Sequence, residues 1–426
     1  MLLQIGEKQV NITSMLLFCM FFFMAVFSTV FMKAKIILAL IAIAALAYSY
    51  IINESITAFD KQVAIWMIIF LLNNAYTILV AVMNRNPYAT YSLSIEIVEP
   101  FFFFVLIMLM QKKEYNDFIT ILKILTFIIS VYNLLFFMAL NGLIPLVDAN
   151  WFAGMWPNYG GFSIGFIKYH SNNITWLVFL VPFTIADFIL HTNNRSAFEG
   201  VTIILGLINV AASMRTGFII AVALSPFITV AFAKLTKIKY NKNEVRLFLL
   251  FTAICITVVV LCSVSVRGLI LGLADKVLIS LSTSSNSVDN GGYIRMLQIR
   301  DLLDTWKEKP LLGWGFNTNA HNVIRSDIPG SYEMQYFAML MQRGLIGSGI
   351  LLGLFIWLYV KSFRIMTSNE QYGITTLAII VGHLSVLLAN ATNPYIGSFD
   401  RLIIIFIPLI TCRILLNDGE SEIVQY

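Results

Sequence analysis

The sequence predicts an all-α integral membrane protein with roughly twelve transmembrane helices and one large loop outside the cytoplasm. Three observations carry this. Of the 426 residues, 59% are hydrophobic and only 12% charged, with a mean hydropathy of +0.82; so few charges cannot coat a soluble surface. Apolar runs of about eighteen or more residues recur along the whole chain, each long enough to cross about 30 Å of hydrocarbon. These runs are continuous rather than alternating, which fits helices and not the short segments of a barrel.

Taken in order, the predicted helices are 12–32, 34–52, 62–83, 93–110, 118–140, 174–190, 200–213, 216–233, 246–264, 334–360, 372–391 and 397–416. The first is too long for a cleavable signal peptide and lacks a small-residue cleavage site. With both termini inside, roughly thirteen Lys and Arg fall on the inner side against roughly six in the short outer loops. The cluster Lys234 to Arg246 is the strongest inner marker. Two segments do not span. Asn141 to Asn173 is rich in Gly, Asn and aromatics, and Ser265 to Tyr332 is the most polar part of the chain. Both fall outside. The chain therefore divides into helices 1–9 over 1–264 with an outer loop at 141–173, a large loop over 265–333, and helices 10–12 with the C-terminus over 334–426.

The large loop contains a flexible polar run, Ser280 to Gly292, and then an amphipathic helix, Tyr293 to Lys309, ended by Pro310. Ile299, Leu302, Leu303 and Trp306 form its predicted apolar stripe, suited to a membrane surface.

The net charge of +5 and the scattered Lys and Arg give no basic, aromatic-interleaved stripe, which argues against nucleic acid as a partner. Cys19, Cys255, Cys262 and Cys412 match no metal or disulfide spacing and read as buried small hydrophobes. No acidic Asp-x-Asp pair stands in an outer loop, so no metal site or other cofactor is expected. Arginine is then the group left for stabilising a phosphate, because its fork makes bidentate, permanently charged contacts.

The informative stretch is Tyr293 to Gly347: an Arg-bearing helix, a P-L-L-G-W-G turn, a His-Asn pair, and a helix opening with R-G-L-I-G. Arg295, Pro310, Gly313, Gly315, His321, Asn322, Gly344, Leu345 and Gly347 stand in the order found in the O-antigen polymerase and ligase superfamily, which the chain resembles. Ser213 to Gly217, S-M-R-T-G, resembles a second element of that family. The resemblance implies a GT-C-like membrane glycosyltransferase, inverting and metal-independent, in the bacterial inner membrane with its site facing the periplasm. It implies a glycan donor and an acceptor, both on undecaprenyl pyrophosphate. The lipid bilayer and a chain-length regulator protein complete the expected partners.

On this reading Arg215 and Arg295 hold the pyrophosphate, and His321 acts on the acceptor hydroxyl as a base or a hydrogen-bond orienter. Asn322, His170, Glu333, Trp314 and Arg343 join as substrate-binding candidates. Glu96 and Glu99, at i and i+3 before Pro100, share a predicted helical face near the outer boundary and could orient hydroxyls. Trp151, Trp156, Tyr159 and Trp314 are candidates for stacking on sugar rings. Plainer readings exist for each: Arg215 snorkelling to headgroups, Arg295 pairing with Asp289 or Asp301, His321 capping a loop. Polymerase is the expected activity, with ligase as its alternative and a flippase as a more distant one. A flippase favours broken helices and charges at mid-membrane over a polar outer domain.

Overall fold

The computed structural model describes residues 2–5, 8–53, 58–91, 93–148, 161–163, 166–168, 171–191, 196–213, 215–240, 242, 245–246, 291–322 and 328–423. Helices stand at every predicted segment except 246–264, which lies outside these residues. They are α1 Ile12–Val26, α2 Met32–Asn53, α3 Ala58–Met83, α4 Glu99–Leu109, α5 Lys112–Leu140, α6 Ile174–Leu190, α7 Ala197–Ala212 and α8 Thr216–Thr236. The amphipathic α9 Gly291–Glu308 follows, then α10 Gln335–Ser368, α11 Glu370–Asn390 and α12 Phe399–Ile423. Two small antiparallel hairpins, β1 Leu2–Ile5 with β2 Lys8–Asn11 and β3 Gly161–Ser163 with β4 Phe166–Lys168, are the strands among the described residues.

Among the described residues six helices are long and apolar enough to cross a membrane: Met32–Ile51, Lys61–Met83, Lys112–Leu140, Gly217–Thr236, Gln335–Ser368 and Glu370–Asn390. Ile12–Val26, Ile174–Leu190 and Ala197–Ala212 are apolar but shorter. α1 stops at Val26 rather than at the predicted residue 32, because Thr29 and Phe31 take left-handed backbone and turn the chain. The Thr29 N–H is given to the Asp400 carboxylate, 2.6 Å away, which holds that turn.

α6 is buried almost all round, as an all-apolar helix must be. α11 packs on it and also against α8 and α10. α1, α2 and α5 close one side, and α12 inserts between α3, α4, α10 and α11. Buried Phe, Leu and Ile side chains from all these helices form one continuous core.

The helix ends sort into two groups. At one end Lys123 bridges Asp187 and Glu199, Lys112 sits 4.0 Å over Tyr372, and Arg413 caps the carbonyl of Ile107 at 2.7 Å. Ser196 and Glu199 form a reciprocal cap at the start of α7 here. At the opposite end, the loop end, the segment from α9 to the start of α10 packs onto α3 and α10.

Candidate functional site

The P-L-L-G-W-G turn is the keystone of the loop end. α10 is broken at Gly344, whose backbone has φ 63° and ψ −173°. The turn fills that break. Trp314 N–H donates to the Met341 carbonyl at 3.0 Å and Gly315 N–H to Gln342 at 2.8 Å; Leu345 and Ile346 N–H return to Pro310 and Leu311 at 2.9 and 3.1 Å. The backbone groups freed by the break are thus satisfied by the turn. A Cβ on Gly344 would lie 2.3 Å from the Leu311 carbonyl, and one on Gly315, at φ 89°, 2.2 Å from the Ala81 nitrogen of α3. Only glycine fits either place.

Beneath the turn, Arg343 is buried. Its Nη1 donates to Asn74 Oδ1 at 2.9 Å, its Nη2 lies 3.5 Å from Glu96 Oε2, and its guanidinium sits 4.6 Å from the Phe316 ring centre. Asn74 in turn donates to the Glu96 carbonyl at 2.7 Å. Glu96 stands in a π-helical turn, Ser94–Val98, that leads into α4, so the regular i,i+3 face expected for Glu96 and Glu99 does not form. Glu96 faces Arg343, and Glu99 lies within electrostatic range of both Asp400 and Glu96. Asp400 itself takes Lys35 on both oxygens at 2.8 Å, fully buried. The broken helix and buried charges are features the sequence reading reserved for a transporter. Here the break is plugged by the turn at one end of the bundle.

α9 packs against the opening of α10. Its buried stripe is Gln298, Asp301, Leu302 and Thr305, one residue round from the predicted Ile299, Leu302, Leu303 and Trp306. The cause is polar. Asp301 accepts from the Asn322 backbone at 3.0 Å and from its Nδ2 at 2.9 Å, and Thr305 accepts from the His321 N–H at 3.4 Å. Tyr332 packs with Leu302, Ala338 and Met341 and accepts the Ala320 N–H at 2.5 Å. Burial pushes the Tyr332 phenol up, so it stays neutral. Of the predicted stripe Leu302 is buried, while Ile299, Leu303 and Trp306 are partly exposed.

Arg295, near the start of α9, donates through Nε to Glu333 Oε2 at 2.9 Å. This replaces the alternative pairing with Asp301, which is committed to Asn322; Asp289 lies outside the described residues. Among the described residues the Arg295 terminal nitrogens have no partner. His321 Nε2 lies 2.8 Å from Glu308 Oε1, and its ring meets Trp314 edge-on at 6.3 Å. Arg215 stands at the N-cap of α8, over the rings of Phe218 and Tyr395 at 5.3 and 5.4 Å.

Between these positions Tyr395 N–H donates to Asn390 Oδ1 at 2.9 Å, and the Tyr336 hydroxyl of α10 donates to the Leu387 carbonyl of α11 at 2.6 Å. Arg401, which donates to Ser398 at 2.6 Å, lies within electrostatic range of Arg215.

The structure therefore sets Arg295 with Glu333 near the start of α9, Asn322 on Asp301 midway, and His321 with Glu308 and Trp314 at its far end, about 20 Å along the helix; Arg343 and Glu96 meet beside the Gly344 break, and Arg215 caps the start of α8. His170, Trp151, Trp156 and Tyr159 lie outside the described residues. Sequence reasoning missed Asp301, Thr305, Glu308, Tyr332 and Asn74. Asp301 and Thr305 share helical spacing with Leu302, a signal masked by the more apolar stripe beside it.

No curated protein matches the chain. The helices long enough to span, taken with the family match, make it a multi-pass membrane protein. Residues 183–352 match the family described as O-antigen ligase, a segment that holds Arg215, Arg295, Trp314, His321, Asn322, Glu333 and Arg343 and agrees with the motif resemblance to the O-antigen polymerase and ligase superfamily.

Proposed function

We propose that the chain is an O-antigen polymerase. It transfers a growing glycan from undecaprenyl pyrophosphate to an incoming lipid-linked repeat unit at the periplasmic face of the inner membrane. The observation that carries this reading is the Arg295–Glu333 pair. Glu333 fixes the guanidinium through Nε, and this leaves the terminal fork for a ligand. A fork held in this way suits a departing pyrophosphate, where negative charge builds as the glycosidic bond to the donor breaks.

In the proposed step the acceptor hydroxyl attacks the anomeric carbon opposite the pyrophosphate, with inversion. Arg215 and Arg295 stabilise the leaving group, and Glu333 positions Arg295. His321 takes or orients the hydroxyl proton, with Glu308 holding the imidazole. Asn322, fastened by Asp301, keeps the His-Asn loop against α9. Arg343 and Glu96 support the turn from below rather than meeting substrate. No divalent metal takes part, so transfer by purified protein from a lipid-linked donor should persist in chelator. A chain-length regulator protein is the proposed protein partner.

A ligase, which moves finished glycan to lipid A–core, is the second reading. It is favoured by the description of the matching family. The surface glycan of a deletion strain separates the two. Single-unit chains on the core indicate a polymerase, and loss of all attached chains indicates a ligase.

A further inference from the structure

We propose that the loop end of α3 carries a separate amphiphile site, which holds the lipid-linked acceptor with its phosphate at Lys309. The proposal rests on the polymerase reading for the identity of the occupant. Its geometry is independent of that reading.

Two hollows adjoin there. The first, about 400 Å³, is an apolar groove between the last turn of α3 and the P-L-L-G turn, walled by Val80, Met83, Leu311 and Leu312. Met83 ends a helix segment long and apolar enough to cross a membrane, so the groove lies at the end of that segment. Leu311 and Leu312 stay exposed although the chain could have turned them inward. The second hollow, about 300 Å³, is polar, with Asn86, Tyr88, Asn317 and Asn319 around Trp314. Asn84 lines both, so the two hollows lie side by side.

Lys309 stands at the junction. Its ammonium bonds the Asn84 side-chain oxygen and lies 3.8 Å over the Trp314 ring. Among the described residues no carboxylate pairs with it, because the adjacent Glu308 faces His321. Arg85 adds a second cation to the wall of the polar hollow.

An apolar groove, a cation at its mouth, and an amide-rich hollow with an aromatic wall match one kind of molecule in order: a hydrocarbon tail, a phosphate, and a hydroxyl-rich head. A common phospholipid would satisfy the groove and the cation but leave the polar hollow empty. A polyprenyl-linked saccharide satisfies all three. Trp314 also meets His321, so a saccharide seated in the polar hollow lies beside the residue proposed to act on the acceptor.

The test uses the full chain in phosphatidylcholine nanodiscs, with undecaprenyl phosphate and phosphatidylglycerol as probes and native mass spectrometry to count retained lipid. Lys309→Gln removes the cation. Leu312→Trp fills the groove while keeping the backbone carbonyl that accepts the Tyr76 hydroxyl, and so guards against a folding defect in the first variant. Lys307→Gln, at an exposed lysine paired with Asp304, is the control. Undecaprenyl phosphate retention should fall about tenfold in the first two variants and stay level in the control. Wild-type retention in both variants would overturn the site. So would displacement by phosphatidylglycerol at equal concentration, which would mark a bulk-lipid surface. If retention responds as expected but the wild type transfers no glycan, the polymerase reading fails and the site stands. If wild type and both variants transfer and bind alike, the site fails and the polymerase reading stands.

Discussion

Arg295 and Glu333 meet at 2.9 Å, Nε to Oε2, across the joint between α9 and the start of α10. Both are partly exposed, at 26% and 21%, so the pair is open to a ligand and adds little to stability. Its value lies in orientation. Arg295→Ala should cost on the order of 2–4 kcal/mol of transition-state stabilisation, or roughly a hundredfold or more in rate. Arg295→Lys should recover only part, because an ammonium has no fork. Glu333→Gln should keep the geometry with a neutral acceptor and lose roughly tenfold. Polymer formation by variants of matched membrane abundance measures this, and normal rates from Arg295→Ala would remove it from the mechanism.

Arg343 is 5% exposed and meets Glu96 beside the Gly344 break. Removing one member of a buried ion pair strands the other, at about 3–5 kcal/mol. Arg343→Ala should therefore lower the melting temperature and the yield of monodisperse protein. Arg343→Met with Glu96→Gln should restore much of that stability, since no lone charge remains. A stable Arg343→Ala protein that fails only in transfer would instead place Arg343 on the substrate.

These two pairs show what the sequence revealed and what it hid. The helices were legible because continuous apolar runs have one physical solution in lipid. The turn at Pro310 to Gly315 was legible as a motif, and its seat in the broken α10 gives the motif a steric reason. The partners of Arg295 and Arg343 were not legible. Glu333 is 38 residues from Arg295, and Asn74 is 269 from Arg343; no local periodicity encodes such contacts. The rotation of α9 was misjudged because Asp301 and Thr305 are buried by hydrogen bonds to 321–322, which hydropathy alone scores as exposed.

At the opposite end, His191 Nδ1 lies 3.2 Å from Asp187 Oδ1. The hydrogen bond to Asp187 holds the His191 imidazole above its usual pKa. A raised pKa in the folded state adds stability that is full below the ordinary value of 6.5. That stability is lost as pH rises through the folded value. The melting temperature should thus contain a component that falls as pH rises above the ordinary value of 6.5, and His191→Asn should flatten it. An identical pH slope in the variant would show that other groups set it.

The excess of Lys and Arg at one end predicts that end to be cytoplasmic. Reporter fusions at Ser285 and Lys239 should report opposite sides, with Ser285 outside. The same side for both would break the assigned order of helices.

His321 provides the most discriminating test of the chemistry. It is about half exposed, held 2.8 Å from Glu308, with Trp314 edge-on to its ring. In the proposed reaction it belongs to the acceptor side, and Arg295 to the donor side. His321→Ala should slow transfer by roughly 10²–10⁴-fold if it acts as a base, and by much less if it only orients the hydroxyl. Donor affinity should change little in either case. Glu308→Gln should lower the rate by a smaller factor, because the imidazole loses the carboxylate that holds its orientation. Rates near wild type in His321→Ala would move the acceptor role to Glu333. A large loss of donor affinity would put His321 on the pyrophosphate beside the arginines.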